Sequence, residues 1–188
     1  MNIVLIGYRT TGKSTVGKHL AFKLNLPFFD TDTLVEENIK MPIADIVATH
    51  GWGFFRAGEK DAVQALEKQK ACIIATGGGV VLDKDNVASL KKNGFVVWLN
   101  APLNDIISRL NNKRPDGVVR PQFTDWNIVE ETIQMVNERD TLYKQAADYT
   151  VETAQKSIVE VGEEIYQHLV ETGMLINILK NKKLSDIN

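Results

Sequence analysis

The chain has a single cysteine, Cys72, so neither a disulfide framework nor a cysteine-based metal cluster can be built within it. Cys72 lies in an apolar run, where a buried core thiol is expected. Histidine is almost as scarce: His19, His50 and His168 fall on separate helical patterns with no ligand spacing among them, which leaves them structural or exposed. No apolar stretch approaches the roughly 20 residues that a membrane span needs, so no membrane association is expected. The sequence enters its first apolar strand at once, without a signal or transit segment, and a cytoplasmic location is the simplest expectation. An excess of positive charge is also missing. The formal net charge of −2 gives no support to nucleic-acid binding, which selects a basic surface. Internal repeats and low-complexity segments are absent. A length of 188 residues with 44% hydrophobic residues supports one good core, so a single domain, expected to be a monomer, is the default.

Against those absences stands residues 7–14, Gly-Tyr-Arg-Thr-Thr-Gly-Lys-Ser, which match the phosphate-binding pattern Gly-x-x-x-x-Gly-Lys-[Ser/Thr]. An apolar run at 3–6 delivers the loop, and after it Val16, Leu20, Ala21 and Leu24 recur at helical spacing until Pro27. A helix opening at Lys13 turns its amides and positive end toward the phosphates. Gly7 and Gly12 allow close backbone approach, Lys13 reaches the outer phosphates, and the Ser14 hydroxyl can ligate Mg2+. Binding of a nucleoside triphosphate is the expectation.

Short apolar runs at 3–6, 27–29, 72–75, 95–99 and 149–151 alternate with amphipathic stretches. This order predicts an α/β fold, a five-stranded parallel sheet sandwiched by helices, with the strand ends and their loops gathered along one edge. Two segments break the pattern. Residues 111–125 contain two prolines, a glycine and three basic side chains, and read as a mobile loop between helices. Residues 174–179 form an apolar patch expected to pack on the domain, followed by a polar tail expected to fray.

Four further groups could carry chemistry. Asp30 and Asp32 flank Thr31 at the end of the second strand, and a spacing of two puts both carboxylates on one face if extended geometry persists. One could assist the metal through water while the other orients or deprotonates a hydroxyl; equally, Asp32 could cap the next helix, with Thr33 and Glu36 as a capping box. Arg56 follows Trp52, Phe54 and Phe55 and lies three residues before Glu59, so on a helix the two pair beside aromatic walls, as a plain surface ion pair also would. Gly77, Gly78 and Gly79 follow the third strand, where either a tight turn or close approach of a ligand explains three successive glycines. Arg114 and Arg120 in the irregular loop could close over phosphates, and Arg139 on the next helix could hold a carboxylate with two parallel hydrogen bonds, though each could also be a solvated cation.

In order along the chain these features resemble the shikimate kinase family: the phosphate loop at 7–15, Asp-Thr-Asp at 30–32, Phe-Arg-Ala-Gly-Glu at 55–59, the glycine triplet at 77–79, Arg120-Pro121 and Glu-Arg-Asp-Thr-Leu-Tyr at 138–143. The resemblance runs to about residue 170. It implies a P-loop kinase fold like that of nucleoside monophosphate kinases, in one domain over 1–172 with a lid near 111–125, and an extension at 173–188. It also implies transfer of the ATP γ-phosphoryl group to the 3-hydroxyl of shikimate, a step of aromatic amino-acid biosynthesis, with Mg2+. By the same resemblance, Gly7, Thr10, Thr11, Gly12, Lys13, Ser14 and Thr15 cradle the nucleotide, and Ser14 and Asp30 support the metal. Asp32 holds the substrate hydroxyls and acts as base, Arg56 and Arg139 grip the carboxylate, and Gly77, Gly78 and Gly79 admit the substrate to the backbone. Arg120 is the lid arginine, and Arg114 rather than Arg109 is taken as the adenine contact. Thr10 departs from the small residue usual in the loop, and Gln122-Phe123 from the usual lid sequence. The nearest alternatives are a gluconate or nucleoside monophosphate kinase on the same architecture, or a non-catalytic nucleotide switch. For a guanine-specific switch the segment Asn112-Lys113-Arg114-Pro115 lacks the final aspartate.

Overall fold

The computed structural model describes residues 1–111 and 127–185. Five strands, β1 (Asn2–Ile6), β2 (Phe28–Asp30), β3 (Ile73–Ala75), β4 (Gly94–Asn100) and β5 (Tyr149–Glu152), form one sheet in the order β2-β3-β1-β4-β5. Every pairing is parallel, with Ile3 opposite both Ile73 and Phe95. The five apolar runs in the sequence therefore find their strands within a residue or two.

The helices are α1 (Lys13–Leu24), α2 (Thr31–Ile39), α3 (Ile43–Leu66), α4 (Lys84–Asn93), α5 (Leu103–Asn111), α6 (Ile128–Ala146), α7 (Ile158–Glu171) and α8 (Met174–Ser185). Alternation along the strands splits the core in two. Ile3, Leu5, Ile73, Val97 and Leu99 face α1, α7 and α8, while Val4, Ile6, Ile74, Val96 and Trp98 face α3, α4 and α6. Burial on both faces explains why these strands are continuously apolar instead of alternating. A third, smaller core joins Val35 of α2 to Ile46, Phe55 and Ala62 of α3. α3 bends at Gly51, whose φ of +80° lies in the left-handed region that glycine tolerates.

Because β1 is flanked by β3 and β4, successive crossovers leave it in opposite directions, and a crevice opens at the carboxyl end of the sheet there. The phosphate loop leaves β1 at this point and the glycine triplet leaves β3 beside it.

Two local expectations are corrected. The cap of α2 is Asp30, whose Oδ1 accepts from the Asp32 amide at 3.1 Å, so Asp32 lies inside the first turn and is not the cap. Glu36 closes no capping box with Thr33; its Oε1 accepts from the Ile43 amide at 2.9 Å and ties α2 to the start of α3. At the far end, residues 174–185 form a helix: the patch at 174–179 packs on the domain as expected, whereas 180–185 are helical where fraying was expected. Gly173, at φ +70°, turns the chain back so that the fully buried Ile178 seals the core beneath α1 and α7. Cys72 is buried and unpaired, as expected. His168 stacks on Tyr149 at 3.8 Å between ring centres, a structural role. Among the described residues no helix is long and apolar enough to cross a membrane.

Candidate active site

The loop between β1 and α1 forms one side of the crevice. α1 opens at Lys13 behind Gly12 (φ +95°), with no capping side chain and no acidic residue in its first turn. An acidic cap would satisfy those amides and repel phosphate, so its absence keeps the helix end suited to an anion. Gly7 has φ +141°, and a methyl group placed there would lie 2.5 Å from the Leu99 carbonyl oxygen. No larger residue fits. Lys13 Nζ donates to the carbonyls of Gly7 and Tyr8, each at 2.8 Å, which curls the side chain along the loop it serves. The Thr11 hydroxyl donates to Tyr8 O at 2.8 Å, while Ser14 and Thr15 are exposed at the helix opening. Thr10 adopts φ +69°, a conformation that a β-branched residue holds at a cost of order 1–3 kcal/mol. The departure noted in the sequence is thus a strained one.

Asp30 serves two ends at once. Beyond capping α2, its Oδ2 accepts from the Ser14 hydroxyl at 2.6 Å, bringing a carboxylate and a hydroxyl together at the mouth of the phosphate loop. These are hard oxygen donors. Mg2+ is commonly held by one or two such groups with substrate phosphates and water supplying the rest, so the pair fits that ion. Among the described residues no cluster of three acidic, histidine or cysteine ligands exists. With the helix starting at Thr31, the two aspartates do not share an extended face; Asp32 is turned toward the glycine bend.

The acceptor side is built around that bend. A methyl group on Gly77 would lie 2.6 Å from Asp32 Oδ1 and 2.6 Å from Glu59 Oε1; one on Gly79 would lie 2.1 Å from Arg56 Nη2. On Gly78 it would come within 3.2 Å of the Arg9 amide nitrogen and 3.5 Å of Gly7 O, both in the phosphate loop. The triplet is bare because side chains and backbone from three segments, α2, α3 and the phosphate loop, crowd onto it. Its amide at Gly77 donates to the Thr31 hydroxyl at 2.9 Å. Arg56 Nη1 donates to Glu59 Oε2 at 2.7 Å, and the guanidinium lies over the Trp52 and Phe55 rings. Phe54 instead points outward and packs on His50. The ion pair is asymmetric: the Glu59 side chain is 1% exposed and that of Arg56 27%, so the cation faces the crevice with its anion behind it. Burial raises the Glu59 pKa above its ordinary value, and the opposing pull of Arg56 does not cancel this. Glu59 Oε1 is buried without a hydrogen-bond partner among the described residues.

From the opposite wall, Arg139 Nη1 donates to Gly78 O at 3.3 Å and its Nη2 contacts Met135 Sδ at 3.1 Å. The Tyr143 hydroxyl also donates to Gly78 O. Arg139 and Tyr8 are in cation–π range at 5.9 Å. Asp32, Arg56, Gly77, Gly78, Gly79 and Arg139 therefore meet in one hollow beside the phosphate loop. Arg114 and Arg120 lie outside the described residues, as do residues 112–125 of the expected lid and Gln122-Phe123.

Arg109 was weighed from sequence and set aside in favour of Arg114, while Arg9 and Tyr143 were given no role. Arg109 of α5 donates to Thr10 O at 3.4 Å and Thr153 O at 3.3 Å, bridging the phosphate loop and the segment after β5. Tyr143 fixes the bend, and Arg9 is paired with Glu131 at 2.6 Å. A signal for the α6 members existed: Glu131, Met135, Arg139 and Tyr143 recur every four residues on one helix edge.

A phosphate loop at the head of the central strand, an oxygen pair for a divalent cation and a facing pocket of paired cations and carboxylates define a P-loop small-molecule kinase. The family described as shikimate kinase matches residues 9–172. The chain belongs to that family. It is 40% identical over 172 residues to the shikimate kinase of Syntrophus aciditrophicus, covering 87% of this chain and 88% of that one. Among solved structures it resembles shikimate kinase from Acinetobacter baumannii in complex with shikimate (TM-score 0.84, 33% identity, 91% and 93% coverage). Shikimate kinase from Aquifex aeolicus is also similar (TM-score 0.76, 30% identity, 92% and 98% coverage).

Proposed function

We propose that the hollow between the phosphate loop and the glycine bend binds shikimate and directs its 3-hydroxyl at the γ-phosphorus of ATP, yielding shikimate 3-phosphate and ADP. The observation that carries this reading is the convergence on the bare triplet of Asp32, Glu59 and Arg56, with Arg139 on its carbonyl. A small polyol carboxylate needs cations at one end and hydroxyl acceptors at the other, and this arrangement offers both.

Arg56 and Arg139 grip the carboxylate, Asp32 accepts hydrogen bonds from ring hydroxyls and takes the proton of the attacking one, and Gly77, Gly78 and Gly79 let the ring rest on backbone. The amides of Gly7, Thr10, Thr11, Gly12, Ser14 and Thr15 surround the β- and γ-phosphates, and Lys13 transfers its hydrogen bonds from the loop carbonyls to phosphate oxygens as the nucleotide enters. Ser14, with Asp30 behind it, would hold Mg2+, which would neutralise charge on the phosphates. Arg114 remains the proposed adenine contact, with Arg109, bonded to Thr10 O and Thr153 O, as the alternative, and Arg120 remains the proposed γ-phosphate cation.

A coupled ADP-release assay tests the reading. Wild-type enzyme should release ADP only when shikimate and Mg2+ are present, and Asp32→Asn should lower kcat by roughly a hundredfold or more, the scale of general-base contributions. Release driven by gluconate or a nucleoside monophosphate, but not by shikimate, would replace it.

A further inference from the structure

Arg9, the second variable residue of the phosphate loop, is not needed by the pattern that defines the loop, yet it is buried. Its Nη2 donates to Glu131 Oε1 at 2.6 Å; the Arg9 side chain is 9% exposed and that of Glu131 fully buried. The two residues are 122 positions apart in sequence. The guanidinium also lies 5.6 Å from the centre of the Tyr8 ring. Buried ion pairs gain little net stability over apolar residues of similar size, so one retained at this place needs another explanation.

Its position supplies one. Glu131 stands in the first turn of α6, behind the Asn127 cap, and two turns later the same helix edge carries Arg139, then Tyr143, both bonded to Gly78 O. Four positions spaced by four residues sweep roughly 120° of helix surface and span about 18 Å, so they form one continuous edge. The Gly78 backbone abuts the amide of Arg9. The contacts thus close a ring: phosphate loop to glycine bend, glycine bend to the middle of α6, start of α6 back to the loop through Arg9.

We propose that Arg9 and Glu131 are positioning residues whose ion pair acts as a strut, setting the spacing between the phosphate loop and α6 and hence between the γ-phosphate and an acceptor held at Arg139. This rests on the acceptor site being the one described above. Transfer is sensitive to reacting distances, and a misplacement near 1 Å can lower the rate about a hundredfold. The strut should therefore act on kcat more than on binding.

The test uses two variants of the full chain. Glu131→Asp keeps the charge and shortens the reach, and Arg9→Met with Glu131→Met replaces the pair by apolar side chains that restore burial. Both should unfold cooperatively, with Kd for ADP and for shikimate within about threefold of wild type, while kcat falls about tenfold or more. A purely structural pair predicts the reverse: kcat would return with thermal stability in the double variant. Wild-type kcat in either variant, kcat and both affinities collapsing together, or failure of both variants to fold would each overturn the proposal. Wild-type enzyme inactive with shikimate but active with another acceptor would defeat the substrate assignment, and the kcat comparison on that acceptor would still judge the strut.

Discussion

Gly79→Ala isolates the acceptor pocket from the rest of the fold. Gly79 has φ −104°, an ordinary conformation for alanine, so the backbone need not strain. The added methyl, however, would lie 2.1 Å from Arg56 Nη2 and 2.3 Å from both Cζ and Nη1. Carbon does not approach nitrogen that closely, and the guanidinium must retreat by more than an ångström. Arg56 sits at the end of a flexible side chain, so the fold survives while the cation leaves its place over Trp52. Two consequences follow. Glu59, 1% exposed, loses its close counterion and its already raised pKa moves further upward. Shikimate loses a charge-assisted contact worth about 1.5–3 kcal/mol, which weakens binding roughly 10- to 150-fold. Titration calorimetry should find that loss for shikimate and an ADP affinity within about twofold of wild type, since no phosphate-loop group is touched. Gly53→Ala is the matched control: a methyl there meets nothing within 4 Å, and alanine in a helix should raise stability by about 0.4–1 kcal/mol with shikimate affinity unchanged. Unaltered shikimate affinity in Gly79→Ala would refute the placement of Arg56 in the carboxylate grip.

Glu59 predicts a pH effect on stability. Its folded pKa is raised above the ordinary 4.5, so the folded protein keeps this proton where the unfolded chain releases it. Stability from this group is complete below 4.5 and is lost as pH rises through the folded pKa; wild type should therefore lose stability relative to Glu59→Gln over that window, and parallel melting-temperature curves would contradict the assignment. Burial pushes the Cys72 thiol up to about 12, so it should resist a thiol reagent near neutral pH in the folded protein and react at the unfolding rate; rapid labelling of folded protein would show that the core is open there. Ile178→Ala in α8 should cost about 2–5 kcal/mol and lower Tm, with kcat retained below the transition; an unchanged Tm would mean that α8 does not seal the core.

The sheet was readable because its inner strands, β1, β3 and β4, are apolar on both faces, and that signal is local. Ile3 and Val4 can be assigned to a strand without knowing that one faces α1 and the other α3. The phosphate loop was readable because the conformational demand at Gly7 and Gly12 leaves a mark on residue type. What failed at Asp30 and Asp32 was a boundary: the spacing argument assumed extended chain through residue 32, whereas the Asp30 side chain caps a helix that begins at Thr31. The cap was sought at Asp32 but lies at Asp30, where one carboxylate oxygen caps α2 and the other accepts from the Ser14 hydroxyl. The patch at 174–179 was readable because it is apolar, and Ile178 within it packs against α1 and α7; the helix continuing over 180–185 was not, since that stretch is mostly polar.

Arg9 and Glu131 were missed for a different reason. Each alone reads as a surface charge, since nothing in a stretch of sequence marks an arginine for burial against a glutamate 122 residues away. The repeat of four on α6 was the available clue, because a helix edge carrying Glu131, Met135, Arg139 and Tyr143 is too mixed in chemistry to be a core stripe and too regular to be a solvated face. An edge of that kind is what a helix needs when it borders a polar site along its length. The same argument explains why the acceptor pocket depends on α6 as much as on the glycine bend. Gly78 O receives both Arg139 and Tyr143, so the placement of Arg139, and with it the proposed carboxylate grip, is tied to backbone that also lies against the phosphate loop.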